Sequence, residues 1–470
     1  MNEQTHLARS KRGTFFASLM LLLVASTGYS QNLSFGSRDA KPVPEWLPRS
    51  TIYELWLTAF SKEGNLRGAI PGLKHIADLG ATIVYLGPIA KRSANPKASP
   101  YSIADYNAID PEAGTDQDLH DFVSEAHKLR LKVMLDIVYY HTAPDNVMIQ
   151  KDPGFFVKTE DGKTARGFWP QPLPDFSKPE VRKYLMDSLV HWVREFGVDG
   201  FRCDVGGGVP ESFWVDARKA LDKINPEIVL LSESDRPDDQ LQSFDINYNF
   251  DYYVALRSVL RDGAPAITLR KSWEKMHATM PRGARLLHYS DNHDWPRAVI
   301  QFGEKGALAA SVLNFTLDGI PFVYNGQEVD DPTATAWRKL APIRWSDAGN
   351  PADEKSIEVT LDTYKKLFAM RASEPALTSG SMTWIDNDQP ESVLSFLRKH
   401  GNEEILVIIN VSNRNVHVTV DLPVMDYYAV QNLLNPGKTW FSLYSGRVST
   451  DLDAFGYILG RKIPLAPLEK

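Results

Sequence analysis

From residue 51 onward the chain alternates between two hydrophobic patterns. The first is a short, nearly continuous apolar run: TIYELWL (51–57), ATIVYLG (81–87), LKVMLDIVYY (131–140), VDGFRCDV (198–205), EIVLLSES (227–234), SFDINYNF (243–250), RLLHYSD (285–291) and IPFVYNG (320–326). Runs of this length, bounded by Gly, Asp and Asn, predict strands buried on both faces. The second pattern repeats every three to four residues. In 179–197, Val181, Leu185, Leu189, Trp192 and Phe196 make one apolar stripe, with Pro179 near the start and Gly197 at the end. That combination predicts an amphipathic helix with ordinary termini. Leu73, Ile76, Ala77 and Leu79 give 72–81 the same character. Strand–helix alternation calls for a parallel sheet, and eight strands are the number that closes a (β/α)8 TIM barrel, here over 51–375.

Two stretches depart from the alternation. Residues 142–177 separate the third strand from its helix and are rich in Asp, Gly, Pro and aromatics. So long an insertion in a compact domain usually has a task. It leaves the C-terminal end of a strand, the rim where barrels carry their sites. Beyond 375, the runs SVLSFLRK, EEILVIINVS, VHVTVDLP, YYAVQNLL and GYILG are separated by Asn, Gly and Pro. They predict a C-terminal antiparallel β-sandwich over 376–470.

Composition then narrows the class. A 470-residue chain with 43% hydrophobic and 24% charged residues reads as a globular protein of more than one domain. Its net charge of -7 offers no basic surface for nucleic acid. The single cysteine, Cys203, excludes a disulfide framework and a cysteine-based zinc site within one chain. At the N-terminus, Lys11 and Arg12 precede an apolar run at 15–25, and Gly28 and Ser30 place small residues before a cut at Gln31. This predicts a secretory signal over 1–30 and export to the periplasm or the medium, with 31–50 as an irregular lead-in. The apolar run is too short for stable membrane insertion.

Ionisable residues gather at strand ends. DIVYYH places Asp136 and His141 at the end of the third predicted strand, and GFRCD places Arg202 and Asp204 at the end of the fourth. LLSES places Glu233 at the end of the fifth, and SDNHD places His293 and Asp294 just past the seventh. Each has an ordinary explanation alone: an Asp at a strand end often caps a helix, and Arg202 with Asp204 can be a structural ion pair. Their convergence on one rim, against repulsion and desolvation, indicates a site.

On these segments the chain resembles the alpha-amylase family, glycoside hydrolase family 13, across 51–470. The four short family regions occur in order at 136–141, 200–204, Glu233 and 292–294, supported by PYSIADYNAIDPEAGT (100–115) and GIPFVYNGQE (319–328). The resemblance implies a retaining hydrolase of α-glucosidic, chiefly α-1,4, bonds in maltooligosaccharides or starch-like glucan. Asp204 would be the nucleophile, Glu233 the general acid and base, and Asp294 the stabiliser of the transition state. Arg202 would hold Asp204 ionised, and His141 and His293 would donate hydrogen bonds to the sugar. Asp136 would orient its neighbours, and Tyr101 would stack beneath the sugar ring. Retention predicts Asp204 and Glu233 carboxyls roughly 5–5.5 Å apart. No cofactor is required for the chemistry.

Two departures from the family pattern carry expectations of their own. Tyr140 stands where many members have an Asn that ligates a structural calcium, and it has no amide oxygen to offer. The usual calcium site is therefore not expected, and Asp145, Asp152 and Asp161 read as solvated loop acids, with a cation site in the insertion as the alternative. Gly207 and Gly208 stand where many α-amylases have Lys and His, and they offer only backbone. Phe168, Trp169 and Trp295 become candidates for contact with the leaving-group sugars, packing within their own loops being the alternative. Two other functions share the sequence. One is transglycosylation, in which an acceptor sugar replaces water; the other is a silent amylase-like binding module, against which the intact Asp204, Glu233 and Asp294 argue.

Overall fold

The computed structural model of the chain describes residues 35–335, 337, 339–345, 351–422, 428–443 and 446–464. The predicted secretory signal lies outside the described residues. The eight apolar runs are the eight strands of one closed parallel barrel. They are β1 (Ile52–Leu55), β2 (Ile83–Leu86), β3 (Lys132–Val138), β4 (Gly200–Asp204), β5 (Val229–Ser232), β6 (Ile246–Tyr248), β7 (Leu286–His288) and β8 (Ile320–Tyr324). Each pairs with the next, and β8 closes on β1 with Ile52 opposite Phe322. Every residue of β1, β2, β4, β5 and β8 is buried, because one face fills the barrel and the other meets the helices.

The helix predicted over 179–197 is Pro179–Phe196, and it buries Val181, Leu185, Leu189, Trp192 and Phe196. Gly197 ends it in the left-handed region at φ 71°, where a Cβ would be strained. The helix Ala298–Thr316 shows no such stripe, because it packs against both β8 and the C-terminal sheet.

The tail forms a six-stranded antiparallel sheet in the order Ser381–Trp384, Val393–His400, Glu403–Asn410, Tyr457–Pro464, Tyr428–Asn432, Thr439–Leu443. A two-stranded ladder, Val416–Asp421 with Arg447–Leu452, covers it. Along Glu403–Asn410, Ile405, Val407 and Ile409 join the core shared with the barrel, whereas Leu406 and Ile408 pack with Val418, Val420 and Val448. That is the two-residue period of a strand between two layers. Three strands of this tail fall outside its hydrophobic runs: Ser381–Trp384, Thr439–Leu443 and Arg447–Leu452. Ser381–Trp384 and Arg447–Leu452 alternate with exposed positions, so neither presents an apolar run. Arg398, fully buried, joins the two parts by donating to the carbonyls of Thr316 (2.7 Å), Leu377 (2.9 Å) and Gly380 (3.1 Å).

The insertion after β3 is a short helix, Val147–Lys151, followed by a narrow ladder that bridges Phe156 to Pro174, Lys158 to Thr164 and Arg166 to Pro172. Phe168 and Trp169 stand at the tip between its last bridges. Among the described residues no helix is long and apolar enough to cross a membrane.

Candidate active site

Strand register assembles the site. Asp136 on β3 lies directly opposite Arg202 on β4, and Cys203 on β4 lies opposite Ser232 on β5. Asp204 and Glu233, the next residues of β4 and β5, therefore reach the rim side by side, with the Glu233 N–H donating to the Cys203 carbonyl at 3.1 Å. Side chains alternate along a strand, so Arg202 and Asp204 point to the same face. The Arg202 Nη1 donates to both Asp136 oxygens (3.0 and 3.1 Å) and to Asp204 Oδ1 (2.8 Å). Its Nη2 lies 2.9 Å from Glu233 Oε1. One fully buried guanidinium thus faces three carboxyls.

After Asp204 the backbone turns through Val205 in the left-handed region, φ 43° and ψ 46°, an unusual setting for a β-branched residue. The turn aims the Val205 N–H at Glu233 Oε2, which accepts at 2.8 Å. Burial pushes both Asp204 and Glu233 above the ordinary carboxyl range, and Arg202 opposes the rise at each. Repulsion from Glu233 adds to it at Asp204, and repulsion from Asp294 adds to it at Glu233. The cluster therefore favours retention of a proton.

Asp294 works under different electrostatics. It follows β7 by several residues and stands at the rim, with its side chain about one-third exposed. Its Oδ2 lies 3.2 Å from His293 Nε2. Burial pushes His293 down, but Asp294 and Glu54 outweigh it and hold the imidazole well above its usual range. The imidazolium in turn outweighs desolvation at Asp294 and holds that carboxyl below the usual range. His293 Nδ1 sits 2.5 Å from Glu54 Oε1, a fully buried acid on β1.

The remaining sequence-predicted residues gather around the same centre. Tyr101 donates its hydroxyl to Asp136 Oδ2 at 2.9 Å, approaches His293 Nε2 at 2.6 Å, and keeps its ring nearly parallel to His293. Asp136 is buried beneath, held by Arg202, Tyr101 and Tyr85 (2.6 Å). His141 is buried with neither ring nitrogen in a well-formed hydrogen bond, and desolvation lowers its pKa to about 4. Trp295 is set apart from Phe168 and Trp169: it packs on Tyr253 at 4.8 Å beneath the Arg257 guanidinium.

Four residues that sequence reasoning did not single out complete the site. Glu54 and Tyr85 were visible only as one acid and one hydroxyl near the ends of apolar strands. Trp56 stacks on His293 at 4.9 Å, and Trp337 donates its indole N–H to the His293 carbonyl at 3.1 Å. Both Trp residues also wall a cleft of about 400 Å³ with Leu340, Pro88, Glu63 and Arg92.

Tyr140 and the three loop acids are engaged within the fold. The Tyr140 ring lies where a Cβ on Gly208 would be 2.5 Å from its Cδ2. Asp145 accepts from the Ala94 N–H, Asp152 from the Gly154 N–H, and Asp161 pairs with Lys163. Among the described residues no three His, Cys, Asp or Glu side chains converge as a metal centre.

Paired carboxyls on neighbouring strand ends, a buried arginine and a third rim carboxylate on a (β/α)8 barrel define a glycosidase class of site. The chain belongs to the alpha-amylase family: the alpha amylase catalytic domain matches residues 32–154 and 168–389, and the maltogenic amylase C-terminal domain matches 382–459. It is similar to alpha-amylase 2 of Dictyoglomus thermophilum, 27% identical over 90% of this chain and 76% of that one. It is likewise similar to a cyclomaltodextrinase of Geobacillus thermopakistaniensis, 26% identical over 84% of this chain and 70% of that one. Among solved structures, a noncanonic maltogenic alpha-amylase of Thermotoga neapolitana superposes with a TM-score of 0.81 at 29% identity, covering 89% of this chain and all of the other.

Proposed function

We propose that the protein hydrolyses α-1,4-glucosidic bonds in maltooligosaccharides or starch-like glucan, with retention, through a covalent glycosyl-enzyme. The observation that carries this reading is the setting of Asp204 and Glu233 on adjacent strand ends, each touching a different nitrogen of one guanidinium. Retaining pairs stand about 5–5.5 Å apart, close enough for direct attack, whereas inverting pairs leave room for a water. Asp204 attacks the anomeric carbon while Glu233 protonates the departing glycosidic oxygen. Glu233 then draws a proton from the water that releases the sugar. In the productive state the proton retained by the cluster sits on Glu233. Asp294, kept ionised by His293, binds ring hydroxyls and faces the positive charge that builds at the anomeric centre. His141, held neutral by burial and with neither ring nitrogen in a well-formed hydrogen bond, is ready to meet a sugar hydroxyl.

Donor-side glucosyl units extend into the cleft beside Trp56 and Trp337. Transglycosylation uses the same residues; Gly207 and Gly208 offer an acceptor sugar only backbone, which favours hydrolysis. Catalysis without calcium is part of the proposal, because Tyr140 lacks the amide oxygen of the family's calcium ligand. The signal-like segment at 1–30 supports export, although relatives in Bacillus subtilis are named intracellular maltogenic amylases. Amino-terminal sequencing of protein recovered from medium, periplasm and cytosol distinguishes the two. The catalytic reading is tested with purified protein, which should release α-configured reducing sugar from maltooligosaccharides, while Asp204→Asn abolishes release. Wild-type protein that leaves every α-glucoside intact refutes the substrate, and a fully active Asp204→Asn refutes the mechanism.

A further inference from the structure

The Glu233 carboxyl is fixed from two sides: the Val205 N–H donates to Oε2 at 2.8 Å, and Arg202 Nη2 faces Oε1. The first hold is only as firm as the backbone that presents the N–H. Val205 sits in the left-handed region, an unfavourable setting for a β-branched residue. The turn it opens, Gly206–Gly208, has little conformational preference of its own. Two internal bonds close the turn, Gly208 N–H to the Val205 carbonyl (2.8 Å) and Val209 N–H to the Gly206 carbonyl (3.2 Å). Neither ties it to the rest of the rim.

Two side chains do. Buried Trp214 donates its indole N–H to the Gly206 carbonyl at 3.0 Å, and Arg236 Nη1 donates to the Gly207 carbonyl at 3.1 Å. Arg236 belongs to the loop that carries Glu233, three residues further on, and its own N–H donates to Ser234 Oγ at 3.0 Å. The Ser234 carbonyl accepts from Asn247 Nδ2 on β6 at 2.9 Å. One guanidinium thus links the turn that presents the N–H to the loop that presents the carboxyl. Its other nitrogen is anchored: Nη2 donates to Glu211 Oε2 at 3.1 Å and lies 3.0 Å from Asp239 Oδ1. Buried Asp239 accepts from Asn247 Nδ2 at 2.8 Å, and Glu211 accepts from Ser243 Oγ at 2.7 Å. Carboxyls on one nitrogen of a planar fork and a carbonyl on the other leave the fork one orientation.

We propose that Arg236 is a positioning residue for the acid, clamping the Val205 turn to the Glu233 loop so that the N–H stays on the carboxyl while the leaving oxygen takes its proton. Glu211 and Asp239 anchor the clamp. Without it the turn relaxes out of the left-handed region, the N–H leaves Oε2, and the carboxyl loses its fixed aim. This rests on the role given to Glu233 above.

A misdirected acid slows most the substrates whose leaving oxygen most needs a proton. The test therefore compares kcat/KM on maltotriose with α-maltosyl fluoride, whose fluoride departs with little help. Arg236→Met should lose about 10–50-fold on maltotriose and less than about threefold on the fluoride. The Val205 N–H lowers Glu233, so its loss raises that carboxyl and moves the alkaline limb of the maltotriose profile to higher pH. Glu211→Ala removes one anchor and should show both effects in smaller measure. The two variants change charge in opposite senses, so an alkaline shift in both reports geometry. Opposite shifts report charge alone and overturn the clamp. Equal losses on both substrates, or no loss on maltotriose, overturn it as well while leaving the hydrolase reading intact. A wild-type protein inert on both substrates overturns that reading and the clamp with it.

Discussion

Replacing Arg202 by Gln removes one positive charge from contact with three carboxyls while keeping a hydrogen-bond donor. In the intact site, Arg202 opposes the burial that raises both Asp204 and Glu233. A unit charge about 4 Å from a carboxylate at an effective dielectric near 20 is worth about 4 kcal/mol. At about 1.36 kcal/mol per pH unit that is an upper limit near three units. Water entering the altered site trims the expected shift to about one to two units. The sign follows from the roles. Loss of the cation raises Asp204, so the nucleophile stays protonated to higher pH and the acid limb moves to alkaline. The same loss raises Glu233, so the acid catalyst keeps its proton to higher pH and the alkaline limb moves the same way. The bell of kcat/KM against pH on maltotriose should therefore shift as a whole, with its peak about 100-fold or more below wild type. Arg202→Lys keeps the charge and loses the fork, so its peak should fall with far less displacement. A Gln variant whose bell stays in place, or moves toward acid, refutes the electrostatic role assigned to Arg202.

The C-terminal sheet has a titration of its own: burial and the neighbouring Glu374 raise Glu403 from the ordinary 4.5 to about 7. The folded state then holds a proton that the unfolded chain gives up, so stability falls as pH rises from about 4.5 toward 7. Glu403→Gln should flatten that fall in thermal midpoints taken across this range, and parallel slopes for the two proteins count against it. Gly319 sits at φ +112° just before β8, where a Cβ would be 2.4 Å from the backbone oxygen of Leu286. Gly319→Ala should cost about 2–4 kcal/mol in urea unfolding, because neither strand can retreat without opening the barrel. Exhaustive chelation with EDTA should leave kcat/KM and the thermal midpoint unchanged, and restoration of either by added calcium would show a site that the present donors do not explain.

Much of the fold was legible because barrel strands are buried on both faces and therefore write themselves as apolar runs. The eight runs matched eight strands for that reason, and the stripe from Val181 to Phe196 matched its helix. The two-sided sheet at the C-terminus was less legible, since its Ser381–Trp384 and Arg447–Leu452 strands alternate with exposed residues. The candidate site divides in a similar way. Asp136, Arg202, Asp204, Glu233 and Asp294 stood out because charged residues at the ends of apolar strands are costly unless used. Glu54, Tyr85, Trp56 and Trp337 did not, because their work depends on partners far along the chain: Glu54 reaches His293 only when β1 and β7 share one barrel.

By itself, then, the sequence determined the barrel, its catalytic rim and the residue types on that rim, since burial periodicity and strand-end position are local properties. Only the tertiary structure decided how those residues act on one another. Register places Asp136 against Arg202 and sets Glu233 beside Asp204, closure delivers Glu54 to His293, and the folded insertion carries Trp169 to His141. These are contacts between segments distant in the chain. Their geometry follows from packing the whole barrel, which no local pattern encodes.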